Sequence, residues 1–150
     1  MRKIAIGCDP NATEMKEALK RYLTEQGHAV EDLGSEDPVY ANVAIRVAEA
    51  VASGAFERGV LLCGTGIGVS LAANKVKGAY AVIATDAYSV ERSIKSNNAN
   101  ILTFGSQVMG TEAAKVLLNI WLNADYQPGG RSAPKVQRIY DYAEDAKHRG

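Results

Sequence analysis

Short apolar runs alternate with longer stretches of helical period along this chain. Lys3 to Cys8 is compact and apolar, as in a buried strand. Met15, Ala18, Leu19, Tyr22 and Leu23 then recur at helical spacing, with Asn11 or Thr13 placed to cap that helix and Gly27 to stop it. A second strand is expected over Ala29 to Leu33. Val43, Val47 and Val51, with Ala44 and Ala48 beside them, form the next helical stripe. Val60 to Leu62 is a third strand with Cys63 at its end, and Ser70 to Lys75 reads as helix. The pattern continues with a strand over Ala79–Ala84, a helix over Ala87–Lys95, a strand over Ile101–Phe104 and a helix over Gly110–Asn123. In that last helix Ala113, Val116, Leu117, Ile120 and Trp121 are expected to face inward. Pro128-Gly129-Gly130 breaks the chain, and a final helix runs from about Lys135 to Lys147.

Strands alternating with helices predict βαβ units, a parallel sheet and right-handed crossovers. The expected fold is α/β: a three-layer αβα sandwich with a five-stranded parallel sheet of order 2-1-3-4-5, plus a tail helix. Residues 1–127 make one α/β domain. Residues 128–150 make a C-terminal loop and helix whose stripe, Val136, Ile139, Tyr140 and Ala143, is expected to pack on a partner subunit. In this topology ligands bind beyond the carboxyl ends of the strands, between the first and third. That rule sets Asp9 and Cys63 side by side.

Composition narrows the function. The 150 residues carry 17 basic and 17 acidic side chains. A zero net charge gives no electrostatic case for nucleic acid or a membrane surface, and no apolar run approaches the ~20 residues of a membrane span. Two cysteines without metal-type spacing suggest a reduced, cytoplasmic protein. With only two histidines, His28 and His148, the commonest catalytic base is scarce.

The chemistry concentrates between Gly59 and Lys75, G-V-L-L-C-G-T-G-I-G-V-S-L-A-A-N-K. A free cysteine is most often simply buried, and Cys8 has no feature that overturns that reading. Cys63 does: it stands before a glycine loop and a helix start, where the thiolate is favoured. A cysteine phosphatase needs an arginine six positions on, where this chain has Val69. The loop lacks the spacing of a dinucleotide site and the lysine of a phosphate loop. Asp9, next to Pro10, suits either a turn or a substrate hydroxyl. Arg131 and Lys135 are spaced to point the same way. Asn97, Asn98 and Asn100 cluster before the fifth strand.

Four motifs, G-C-D near the start, C-G-T-G-I-G-x-S-x-A-A-N-K, N-x-A-N-I-L-x-F-G-S and Y-x-x-G-G-R, resemble type B ribose-5-phosphate isomerases and the related galactose-6-phosphate isomerases, from Arg2 to about Ile139. The resemblance implies a flavodoxin-like subunit, a homodimer or dimer of dimers with shared active sites, and neither metal nor cofactor. It makes Cys63 the proton-transfer base. It gives the loop Gly64, Gly66, Ile67 and Gly68 to the enediolate oxygens, with Thr65 assisting. Asp9 then holds substrate hydroxyls, Asn97 reaches in from the partner, and Arg131 and Lys135 bind phosphate. Departures fall at Pro10 and Ser96, where the family carries histidines, and at Gln107, where it carries arginine; Ser96 and Gln107 are still expected to bind substrate. Lys135 stands for a second arginine and loses bidentate geometry.

The missing histidines bear on substrate. Cyclic pentose and hexose phosphates need a proton shuttle to open the ring; a tetrose 4-phosphate, its O4 esterified, cannot close a furanose. The expected reaction is therefore D-erythrulose 4-phosphate to D-erythrose 4-phosphate. The alternative is ribose 5-phosphate with ribulose 5-phosphate, with water or Ser96 helping ring opening. A non-catalytic sugar-phosphate subunit and a flavin- or nucleotide-binding module are the remaining readings.

Overall fold

The computed structural model describes residues 1–149, with side chains through residue 143. Five parallel strands, β1 (Lys3–Cys8), β2 (Ala29–Asp32), β3 (Arg58–Cys63), β4 (Ala81–Ile83) and β5 (Ile101–Gly105), form one sheet. Six α-helices connect and follow them: α1 (Thr13–Glu25), α2 (Tyr40–Ala52), α3 (Ile67–Ala73), α4 (Ala87–Lys95), α5 (Thr111–Leu122) and α6 (Ala133–Arg149). The three-layer α/β arrangement is the expected one. No described helix is long and apolar enough to cross a membrane.

The strand order is β2-β1-β3-β5-β4, so the last two strands are exchanged relative to expectation. The reason lies in their sides. Every residue of β5 is buried, as an interior parallel strand requires. The three residues of β4 are only half-buried, and Asn74 covers part of the exposed edge by bonding both the N–H and the C=O of Ala81.

The period of two along β3 divides the core. Val60 and Leu62 pack with Ile4, Ile6, Phe104 and Trp121 on one face; Leu61 and Cys63 pack with Val43, Val47, Val69 and Ile101 on the other. Cys8 belongs to the first face, so the two free thiols lie on opposite sides of the sheet.

Three local expectations shift. Asp9, not Asn11 or Thr13, does the capping: its carboxylate accepts the Asn11 N–H at 2.9 Å over a single 3-10 turn, and α1 follows with no side-chain cap. The inward face of α5 is Ala114, Leu117, Leu118, Trp121 and Leu122, leaving Val116 60% exposed. Those five positions keep the i, i+3, i+4, i+7, i+8 rule; the expected stripe began one residue early. In α6, Val136 is buried against its own chain, and Tyr140 meets Tyr80 at 5.1 Å between ring centroids. Ile139 stays about half exposed.

A buried arginine locks the amino end of the sheet. The Arg58 guanidinium, on β3, donates to the carbonyls of Trp121 and Ala124 at the end of α5, and its Cζ lies 5.0 Å from the centroid of the Trp121 ring. Burial pulls its pKa down to about 10, still charged at neutral pH. Arg58→Met removes both guanidinium bonds from those carbonyls and should lower unfolding free energy by about 2–4 kcal/mol, measured by urea denaturation.

Candidate active site

At the carboxyl edge, β1 and β3 end side by side. The Asp9 N–H donates to Leu62 O at 2.9 Å, which brings Asp9 beside Cys63 as the topology requires. One Asp9 carboxylate oxygen serves the turn; the other has no partner among the described residues.

Cys63 is 6% exposed. Its Sγ accepts the Gly66 N–H at 3.1 Å. Burial pushes the Cys8 thiol up to about 11, which makes it inert.

The loop shape follows from its neighbours. Gly66 has φ +82°, the left-handed region that glycine enters freely. The buried Thr103 hydroxyl on β5 donates to Gly66 O at 2.9 Å. The Ser106 and Gln107 N–H groups donate to the carbonyls of Cys63 and Gly64. Thr65 Oγ1 accepts the Ile67 N–H at 3.1 Å. The Gln107 side-chain amide lies over Gly64, where a methyl group would sit 3.7 Å from it. A polar cavity of about 310 Å³ opens beside it, lined in part by Asn11, Ser106 and Thr111.

The other expected site residues lie elsewhere. Ser96 and Asn97 follow α4 and precede β5, at the amino edge of the sheet. The end of α5 is pinned to that edge by Arg58 and Arg2. The following loop is tied there too, through the Gln127 N–H bond to Lys95 O. Arg131 and Lys135 come directly after it. The length of β5, ~16 Å at ~3.3 Å per residue, separates Asn97 from Gly105, the partner of Cys63 across the ladder. One chain therefore brings Asp9, Cys63, Gly64 to Gly68 and Gln107 together, and sets Ser96, Asn97, Arg131 and Lys135 apart from them.

That second set has unused bonding capacity. Asn98 takes a left-handed turn conformation and bonds the Tyr140 hydroxyl; Asn100 bonds Tyr80 N and Gly78 O. These two asparagines are structural. Asn97 has no side-chain partner among the described residues and lines a 440 Å³ cavity with Arg92 and Tyr80. Arg131 and Lys135 are exposed and pair with no carboxylate among the described residues. Nor is any cluster of three or more His, Cys, Asp or Glu there arranged to hold a metal ion.

Sequence reasoning missed Thr103, Gly105 and Tyr40. Thr103 reads as an ordinary strand position and Gly105 falls just past the expected strand, and only the exchange of β4 and β5 brings them against the loop. Tyr40 follows an Asp-Pro turn, a weak signal that its position over Gly68 explains.

Comparison with known proteins identifies the class. Residues 4–139 match the ribose/galactose isomerase family. The chain is 43% identical to D-erythrulose-4-phosphate isomerase of Pectobacterium atrosepticum over 152 residues, covering 99% of both chains. It is 44% identical to ribose-5-phosphate isomerase B of Escherichia coli over 142 residues, covering 93% of this chain and 95% of that one. The solved structure of Clostridium thermocellum ribose-5-phosphate isomerase B superposes with a TM-score of 0.90 at 37% identity, over 96% of this chain and 99% of that chain. The fold and the loop are those of a sugar-phosphate aldose–ketose isomerase. The chain belongs to the ribose/galactose isomerase family.

Gly105 tests the loop geometry. A methyl group there would sit 2.6 Å from the Thr65 backbone. Gly105→Ala should cost about 1–3 kcal/mol of stability and roughly 100-fold or more in activity by misplacing the loop, read by thermal melting and steady-state assay together.

Proposed function

We propose that this chain interconverts D-erythrulose 4-phosphate and D-erythrose 4-phosphate, with Cys63 as the base that moves the proton between C1 and C2. The observation that carries the chemistry is the Gly66 N–H bond to Cys63 Sγ inside a glycine loop. The thiolate takes a proton from C1 of the ketose. The C1–C2 double bond forms as the C2 carbonyl becomes an enediolate oxygen, and the resulting thiol returns the proton to C2. Thr65 relays the hydroxyl proton from O1 to O2. Backbone N–H groups of Gly64 to Gly68 stabilise the enediolate charge, and the free Asp9 oxygen accepts a substrate hydroxyl.

The site is completed from a second copy of the chain. Asn97, Arg131 and Lys135 have unused donors at the amino edge, too far along the sheet to reach Cys63 of their own chain. A dimer that sets the amino edge of one chain against the carboxyl edge of the other supplies two cations for the phosphate and an amide for the sugar. Residues 128–150 then act as the phosphate-binding arm. The free thiols suit a cytoplasmic enzyme.

The preference for a tetrose rests on Pro10 and Ser96, which offer no imidazole to open a ring. The similarity to the Pectobacterium erythrulose-phosphate enzyme supports it. The second reading, ribose 5-phosphate with ribulose 5-phosphate, is favoured by the comparable identity to the Escherichia coli enzyme. Steady-state assays of both ketose phosphates separate them. The expected kcat/KM is at least ~10-fold higher for D-erythrulose 4-phosphate, and a higher value for ribulose 5-phosphate selects the other reading. Cys63→Ala should lower kcat by ~1,000-fold or more while leaving the melting temperature and oligomeric state intact. Near-normal turnover by that variant would exclude the thiol as base.

A further inference from the structure

Tyr40 lies outside the loop motif, yet its side chain approaches the loop glycines more closely than any other. A methyl group on Gly68 would sit 2.4 Å from Tyr40 Cζ and 2.6 Å from its Oη. The phenol end of the side chain, not its base, is laid on the loop. Only glycine at position 68 admits it there.

The approach is braced from below. Tyr40 opens α2, and Asp37 closes the turn that carries it. One Asp37 oxygen accepts the Val39 N–H at 2.8 Å; the other accepts Asn42 Nδ2 at 3.0 Å. These bonds, the Val39 one foremost, hold the Asp37 carboxyl below its usual range, so the brace stays ionised at neutral pH.

Packing alone does not account for this arrangement. Tyr40 is 41% exposed, and its hydroxyl has no hydrogen-bond partner among the described residues. The loop is thus bracketed by two neutral polar tips, the Gln107 amide at Gly64 and the Tyr40 hydroxyl at Gly68. Gln107 stands at one end of the loop, and Tyr40 is its counterpart at the other.

We infer that Tyr40 is a substrate-binding residue whose Oη donates a hydrogen bond to an oxygen of the sugar phosphate held along Gly64 to Gly68. This rests on the reading of that loop as the enediolate cradle. A single bond between neutral groups contributes roughly 3- to 10-fold in affinity. Tyr40→Phe removes that bond and keeps the ring over Gly68, which separates binding from packing.

The test titrates, by calorimetry, whichever of D-erythrulose 4-phosphate and ribulose 5-phosphate the wild type turns over faster. It uses Cys63→Ala and Cys63→Ala/Tyr40→Phe, so that the ligand is not consumed. The double variant should bind roughly 3- to 10-fold more weakly, with a melting temperature within about 1 °C of the single variant. In the enzyme with Cys63 intact, Tyr40→Phe should raise KM by the same factor and change kcat by less than about twofold. Equal dissociation constants and equal KM for Tyr and Phe overturn the inference. A different failure marks the underlying reading: if Cys63→Ala remains active, the cradle itself is misassigned, whatever Tyr40 does.

Discussion

The site depends on how closely β5 lies against the loop that leaves β3. Gly105 faces the Thr65 backbone with no room for a single methyl group, and the Thr103 hydroxyl holds Gly66 O from the same strand. These contacts put Gly66 in its left-handed conformation and turn its N–H onto Cys63 Sγ. A strand with a side chain at position 105 would push the loop outward and leave the thiol without its donor. The interior position of β5 thus sets the geometry of the loop as well as satisfying a packing preference.

The same strand separates the chemistry into two parts. The β3–β5 ladder ends at Cys63 and Gly105, while Asn97 lies before its beginning. No rotamer of Asn97, Arg131 or Lys135 spans a strand's length. Side chains with unused donors at one end of the sheet, and the Cys63 loop at the other, cannot meet within one chain; the proposed dimer is what would join them. The exposed cations cost little to maintain in the free subunit, since water solvates them.

Much of this was legible in the sequence, for identifiable reasons. Alternating strand and helix periods gave the layers, and the cluster of glycines after Cys63 marked the loop, because glycine density and a thiol at a strand end survive any error in element boundaries. The order of the last two strands was not legible. Ala81–Ile83 and Ile101–Gly105 are both apolar runs, and only burial on both faces distinguishes the interior strand from the edge. That single exchange hid the roles of Thr103 and Gly105. The α5 stripe slipped by one residue because Val116 is apolar yet exposed. Asp9 and the asparagines show a different limit: residue type names a turn-former and a ligand alike, and only the hydrogen bonds sort Asn98 and Asn100 from Asn97.

We propose that a working site takes its base from one chain and its phosphate ligands from another. Mixed refolding of two inactive variants measures it directly. Cys63→Ala and Arg131→Ala chains, each strongly impaired alone, are denatured together at equal concentration, refolded and assayed. Half of the dimers then pair unlike chains, and each of these holds one site with both residues intact, so activity should recover to about a quarter of the wild-type value. An activity no greater than the average of the two variants refolded separately would contradict the account, because it would place Cys63 and Arg131 in the same chain's site.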